Sequence, residues 1–417
     1  MASEARINGA EEAPELPPAL LEKPTGLPPG KYALVGWDMD TTGRKLIDEI
    51  CQIVGYTPHN TYSQYIMPYG DLNPGARRRH NIRVVTVGRY RMLKDTITNK
   101  ILKTKSEISA LSEFLDWLEK ERGDANSVIL IYHEPRRLSP IMLLSALTRY
   151  NLLDRFKNIV AGFTDSYALA AEKCKSTVKS VSLRVLARVL LDADTQGVDN
   201  ALDRASAAYR IVEHLAQGDQ QEVGAGGEGA AATGGMADTA RQWARPVHTE
   251  LEALATLKTI LERQNTLRPV FAPLLRTARL ERKRVTALRR MLADADILYD
   301  QLQDAWQADK VEGLERLLSK LSVSAKQEDV KELIEILDCH FDPTKEPKIP
   351  KPRIPRSKTT ETNETTGSAE GAGTTSESPD SNNSPHDSPA KTNNAVADSA
   401  AGDTSAAAAP VEAVAAN

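Results

Sequence analysis

Six consecutive residues, Ser127-Val128-Ile129-Leu130-Ile131-Tyr132, constrain this chain more than any other stretch. A run this apolar and β-branched reads as a strand buried on both faces, and such strands need a sheet covered by helices. The flanking segments supply helices. Upstream, Ile108, Leu111, Leu115 and Leu118 form one stripe at helical spacing, with Phe114 and Trp117 beside it and Ser106 as a hydroxyl cap just ahead. Downstream, a helix is predicted from about 140 to 150, with further helical segments to 217. Short strands are predicted over 32–37 and 83–87, while 46–54 fits either a strand or a helical turn. Strands alternating with helices make residues 30–217 an α/β domain.

The pattern then changes twice. Residues 218–240 hold six glycines within 224–235 and almost nothing to bury, which predicts a flexible linker. From 241 to 343 every periodic segment is helical, which predicts a small all-α domain. Residues 1–29 are rich in Pro, Glu and Ala. The tail over 344–417 opens on a basic Pro-rich run and continues in Ser, Thr, Asn, Gly and Ala, so both ends are predicted to be disordered. Ser378-Pro379, Ser384-Pro385 and Ser388-Pro389 are of the type proline-directed kinases use. The net charge is −4, so a nucleic-acid surface would have to be a local patch. Cys51, Cys174 and Cys339 are far apart, which argues against a disulfide framework or a zinc site and fits a reducing compartment. No stretch reaches the roughly 18–20 apolar residues of a membrane span. A soluble, cytoplasmic protein without cofactor is expected.

Four places in the first domain resemble the DEDD family of 3′–5′ exonucleases. They are Trp37-Asp38-Met39-Asp40-Thr41-Thr42-Gly43; Tyr65-Ile66-Met67-Pro68 with the later His80-Asn81-Ile82; the strand ending at His133; and Asn200-Ala201-Leu202-Asp203-Arg204-Ala205. The resemblance implies a ribonuclease-H-like fold. A second resemblance covers about 31–345, in stretches such as DMDTTGRKLIDEI, QYIMPYGDLNPGARRRH, ERQNTLRPVF and LDCHFDP. These are similar to a family of insect maternal-RNA localisation proteins. That likeness implies an inactive exonuclease-like domain, a sterile-alpha-motif-like (SAM-like) helical domain, RNA binding and dimerisation through the exonuclease-like domain. It also implies work on structured untranslated regions of mRNA, inside cytoplasmic ribonucleoprotein particles.

Exonucleases of this type hold two divalent metals about 4 Å apart with four carboxylates, and a His or Tyr acts as base. Aligned on the motifs, Asp38 matches the first acid and Asp40 stands one methylene short of the usual Glu. Leu138 occupies the second-motif acid position, Arg204 the third-motif acid position, and Asp199 the place of the base. A one-residue shift would bring Asp203 into the acid position, but it rotates the side chain by ~100° on a helix. No catalytic or metal-binding set is therefore expected. Asp38 and Asp40 are read as kept for loop structure or dimer contacts ahead of residual metal binding. His133 and His80 are read as structural and turn residues.

RNA contact is expected first on the helical domain. Residues 268–290 carry eight basic side chains against one acid, Glu281. On a single helix, Phe271, Leu274, Leu275, Ala278, Val285, Leu288 and Leu292 would share one side. Arg276, Arg279, Lys283 and Arg290 would share the other, with Arg282 and Arg284 in the same cationic stretch, and such cations contact phosphates without reading sequence. The bland alternative is a solvated face balanced by acids such as those over 328–335. Secondary candidates are Arg136 and Arg137 beside the degenerate site, Arg77–Arg79 and Lys100, Lys103 and Lys105. Two competing functions stay open at this point: an active exonuclease with rearranged acids, and a protein scaffold with indirect RNA contact.

Overall fold

A computed structural model describes residues 22–191, 198–224, 235–319, 321 and 326–350. The disorder expected over 1–21, the Gly-rich centre of the linker at 225–234 and the Ser-Pro tail beyond 350 lie outside the described residues.

The chain opens with β1 (Tyr32–Thr41), β2 (Ile50–Tyr56), β3 (Thr61–Ile66), α1 (Pro74–His80), β4 (Ile82–Val87), β5 (Tyr90–Asp95), β6 (Ile101–Leu102) and β7 (Thr104–Lys105). It continues through α2 (Glu107–Arg122), β8 (Ser127–Tyr132), α3 (Leu138–Arg149), α4 (Leu153–Ile159), β9 (Val160–Asp165), α5 (Ser166–Lys173), α6 (Leu183–Leu190) and α7 (Ala201–Gly224). Then come α8 (Met236–Gln242), β10 (Ala244–Pro246), α9 (Val247–Thr266), α10 (Arg268–Leu274), α11 (Arg279–Asp294), α12 (Tyr299–Leu318) and α13 (Gln327–Phe341).

The main sheet has the order β10-β9-β8-β1-β2-β3-β7, and a small sheet is formed by β4-β5-β6. Strands β1, β2 and β3 are antiparallel, whereas β8 and β9 run parallel to β1. That is the ribonuclease-H-like arrangement the motifs imply. Period-two alternation sorts β1 between two helical layers. Val35, Trp37 and Met39 face the core made with α2, α3, α4 and α9. Leu34 and Gly36 face α7, and Asp38 and Asp40 follow on that side. A Cβ on Gly36 would lie 2.4 Å from the Ala205 carbonyl oxygen, so only glycine lets α7 come this close to β1. Helix α2 starts as its sequence predicts, with the Ser106 Oγ accepting from the Ser109 N–H.

The domain boundaries read from the sequence need correction. Strand β9 falls in a stretch expected to be helical. Residues 22–30 are not loose throughout: Leu27 is buried and its N–H donates to the Arg241 carbonyl at 3.0 Å. The linker is helical at both described ends, since α7 runs to Gly224 and α8 begins at Met236. The helical domain does not begin at 241. β10 pairs with β9, and Val247, Ala253, Leu254 and Leu257 of α9 are buried in the first domain's core. The second core starts at Leu267 and gathers Phe271, Val285, Leu288, Leu314, Leu333 and Leu337 from α10 to α13. The start of the tail is pinned to α13, where Lys345 pairs with Asp338 at 2.6 Å and Lys348 pairs with Glu335.

Candidate functional site

The motif residues converge at one end of β1. Arg204, in the first turns of α7, reaches across the Gly36 contact and forks onto two carboxylates. Its Nε donates to Asp38 Oδ2 at 2.6 Å and its Nη2 to Asp40 Oδ1 at 2.5 Å. The Nδ1 of His80, at the end of α1, meets the same Asp40 oxygen at 2.5 Å. Burial pushes the Asp38 carboxyl above its ordinary pKa despite the Arg204 charge. Burial pushes Asp40 the same way, but the His80 hydrogen bond and Arg204 outweigh it and hold that carboxyl low. Arg204 is correspondingly held protonated: the two carboxylates outweigh its own desolvation.

Asp203 turns away. Its side chain accepts from Asn200 Nδ2 at 2.6 Å at the start of α7, so the shifted frame does not put an acid in the site. Leu138 is buried at the first turn of α3. Asp199 pairs with Arg184 at 2.9 Å. The Thr41-Thr42-Gly43 turn is tied by Asp48, which accepts from Thr42 Oγ1 at 3.2 Å and from the Lys45 N–H at 2.7 Å. The two motif aspartates therefore do not hold that loop, as the sequence had suggested; they hold Arg204. His80 is likewise more than a turn residue, because its Nδ1 is the second side-chain partner of Asp40. Among the described residues no three His, Cys, Asp or Glu side chains form a metal cage. A guanidinium lies between the two acids, and Leu138 and Arg204 replace the other two. These residues do not fit a two-metal centre.

Beside this bridge is a cavity of about 520 Å³. Arg44, Arg78, Arg79 and Arg184 are among the residues that line it, and Met39, Leu138, Met142 and Val198 supply apolar lining.

His133 lines the cavity, and Asp165 accepts from the N–H of the lining residue Glu134 at 3.2 Å. His133 Nε2 donates to the Val181 carbonyl at 3.0 Å, and Nδ1 meets Ser166 Oγ at 2.9 Å. Asp165 caps α5 by accepting from the Tyr167 N–H at 2.9 Å. Burial pushes His133 down to about 4 and Asp165 up to about 7. Unfolded, these groups titrate near 6.5 and 3.9. Between pH ~4 and ~6.5 the fold keeps a proton on Asp165 that the unfolded chain has lost. Over the same window the unfolded chain keeps a proton on His133 that the fold has lost. Asp165's contribution is full below pH ~4 and fades as pH rises to about 7; His133's is full above ~6.5 and fades as pH falls. The two slopes, each up to ~1.4 kcal/mol per pH unit, oppose one another. Relative to wild type, His133→Gln is expected to lose stability as pH rises from 4.5 to 6.5, and Asp165→Asn to gain it. Urea denaturation at both pH values reads this, and equal slopes in all three proteins would refute it.

The predicted basic face is interrupted. Helix α10 ends at Leu274 and α11 begins at Arg279, with Thr277 Oγ1 closing the turn on the Leu274 carbonyl at 2.7 Å. Ala278, expected on the buried side, is exposed in that turn. Arg284 is paired with Asp329 and Glu332 of α13, Arg289 is buried, and Arg290 pairs with Asp294 at 2.6 Å. The acidic balance thus accounts for Arg284, and Arg290 is partly neutralised on its own helix. Arg276, Arg279 and Lys283 are exposed and Arg282 is half-buried, none with an ion pair among the described residues. Arg136 is half-buried. Arg137 is not a surface cation at all: it is 4 % exposed and bonds Glu250 of α9 at 2.5 Å. Its sequence signal, a pair of arginines after a strand, points outward; its left-handed backbone (φ 53°) turns it inward.

Comparison with known proteins accounts for both domains. Residues 32–190 match the Exuperantia RNase H-like domain, and residues 268–340 match the Exuperantia SAM-like domain. Maternal protein exuperantia from Drosophila virilis is 38 % identical over 349 residues, covering 76 % of this chain and 71 % of the relative. Its counterpart from Drosophila melanogaster is 36 % identical over 378 residues, covering 76 % and 70 %. With both of its cores matched and this identity spread across most of its length, the chain belongs to the Exuperantia family.

Proposed function

We propose that this chain is an RNA-binding protein of maternal mRNA localisation whose exonuclease-like domain no longer hydrolyses RNA. The observation that carries the reading is Arg204 forked between Asp38 and Asp40. A nuclease needs those carboxylates free for metal; here a fixed guanidinium supplies the positive charge, so nothing remains to activate water. RNA is held instead by the exposed cations Arg276, Arg279 and Lys283, with Arg282 beside them, through backbone phosphates. The names of the relatives, maternal protein exuperantia, support the developmental setting. Dimerisation through the exonuclease-like domain and residence in cytoplasmic ribonucleoprotein particles belong to the same proposal. Among the described residues no helix is long and apolar enough to cross a membrane.

The test uses the full chain with end-labelled structured RNA, with and without manganese, run on native and denaturing gels. A shifted band with full-length RNA is expected. Changing Arg276, Arg279 and Lys283 together to Glu should weaken binding at least tenfold and flatten its salt dependence. Shortened products that vanish in Asp38→Asn would overturn the reading in favour of a live nuclease. Unchanged affinity in the triple variant would leave RNA contact to another surface of the chain, and no shifted band at all would leave it to a protein partner.

A further inference from the structure

We propose that the cleft beside the Arg204 bridge is an anion site that takes a phosphomonoester on Arg44, Arg78 and Arg79, with room for one nucleotide. The charges around the cavity lead there. Arg204 is taken up by Asp38 and Asp40, whose two carboxylates exceed its one charge, and Arg184 is paired with Asp199. Glu134 also lines the cavity, with one carboxylate oxygen accepting from the Ser139 N–H at 2.8 Å. That leaves Arg44, Arg78 and Arg79 lining the cavity with no ion pair among the described residues. Arg79 is also half-buried, and burial, then Arg44 and Arg204, weaken its hold on its proton more than Asp40 and Asp48 strengthen it. Like charges gathered at a partly desolvated wall repel, and a dianion relieves them. A phosphomonoester offers two charges and three acceptor oxygens to guanidinium forks.

The cations are held in place beforehand. Arg44 sits in the turn fixed by Asp48, and Arg78 and Arg79 ride on α1. The two segments are joined directly: the Asn73 N–H, at the cap of α1, donates to the Thr42 carbonyl at 2.9 Å. A Cβ on Gly43 would collide with Asp48 and Asn73, which shows how tightly turn and cap are packed. Met39, Leu138, Met142 and Val198 add apolar lining against which a sugar or base can lie. The volume of about 520 Å³ is in the range of small-molecule sites, roughly 300–1,000 Å³. This site stands apart from the helical-domain cations and does not rest on their contact with RNA.

The test titrates the full chain by calorimetry with AMP, inorganic phosphate and adenosine. AMP and phosphate should bind and adenosine should not. The exposed changes Arg44→Glu and Arg78→Glu should each weaken AMP at least tenfold, while Arg78→Lys keeps part of the affinity. The Arg276, Arg279 and Lys283 triple variant should bind AMP like wild type, so loss of RNA binding and loss of this site are read separately. A 5′-phosphorylated RNA pentamer that competes with AMP, where its hydroxyl-ended twin does not, assigns the phosphate to RNA ends. Failure of both to compete assigns it to a free nucleotide. No AMP binding at millimolar concentration, equal binding of adenosine, or AMP affinity unchanged by both Glu variants overturns the proposal.

Discussion

Arg137→Ala is expected to cost about 3–5 kcal/mol of stability, the usual penalty for stranding a buried charge. Glu250 is fully buried on α9, and its Oε2 has no hydrogen-bond partner among the described residues. Its compensation therefore comes through Oε1 from Arg137. Removing the guanidinium leaves a carboxylate that must either protonate or leave the core. The second response undocks α9, whose Val247, Ala253, Leu254 and Leu257 then lose their burial against the first domain. Because α9 leads directly into α10 through Leu267, loosening it also loosens the link between the two cores. Two readouts follow: a fall in the midpoint of urea denaturation, and new protease cleavage within 241–266. The double change Arg137→Met with Glu250→Leu, which removes both charges, should be less destabilised than either single truncation. Singles costing under 1 kcal/mol, with no new cleavage, would mean that α9 is held by its apolar face alone.

This pair also shows where a sequence is readable. Strands β1 and β8 and helix α2 announce themselves because their burial is decided locally, by period-two or period-3.6 patterns. The stripe of α9 is just as clear, yet periodicity says only that a face is buried, never against which core. Placing it in the helical domain was the natural error. β9 was missed because Val160 and Phe163 flank Ala161 and Gly162, and the glycine reads as a breaker. In the fold it permits close contact with β10, where a Cβ would meet the Arg245 carbonyl at 2.4 Å. The exonuclease motif frame puts Arg204 in the third-motif acid position, and in the structure Arg204, not its neighbour Asp203, meets the two acids, since helical phase fixes which of two neighbours points inward. His80 carried no such signal: it follows three arginines in a solvent-facing stretch, and its partner Asp40 is forty residues away in sequence. The single basic helix also failed on a local detail. Pro273, Thr277 and the extended backbone of Ala278 end α10 before the cations begin again.

Replacing Arg204 should have the second large effect, and its form is what separates a dead nuclease from a dormant one. Arg204→Ala leaves Asp38 and Asp40 side by side, with Asp40 2 % exposed and His80 Nδ1 as its remaining side-chain partner. The expected cost is about 3 kcal/mol, the low end for a broken buried pair, because Asp38 and Arg204 keep some contact with water. Arg204→Lys should recover only part of this, since an ammonium is a point charge and does not fork across two carboxylates. Arg204→Asp is the more telling change. Three carboxylates would then repel one another, and the variant should melt well below wild type in a chelating buffer. Millimolar manganese should raise its melting temperature by several degrees, because a divalent ion binds the folded set and not the unfolded chain. Wild type should show no such rise, since its guanidinium already occupies the ground between Asp38 and Asp40. The reading fails if manganese stabilises wild type as strongly as Arg204→Asp. Metal would then bind with Arg204 displaced, and the carboxylates would be available for hydrolysis after all.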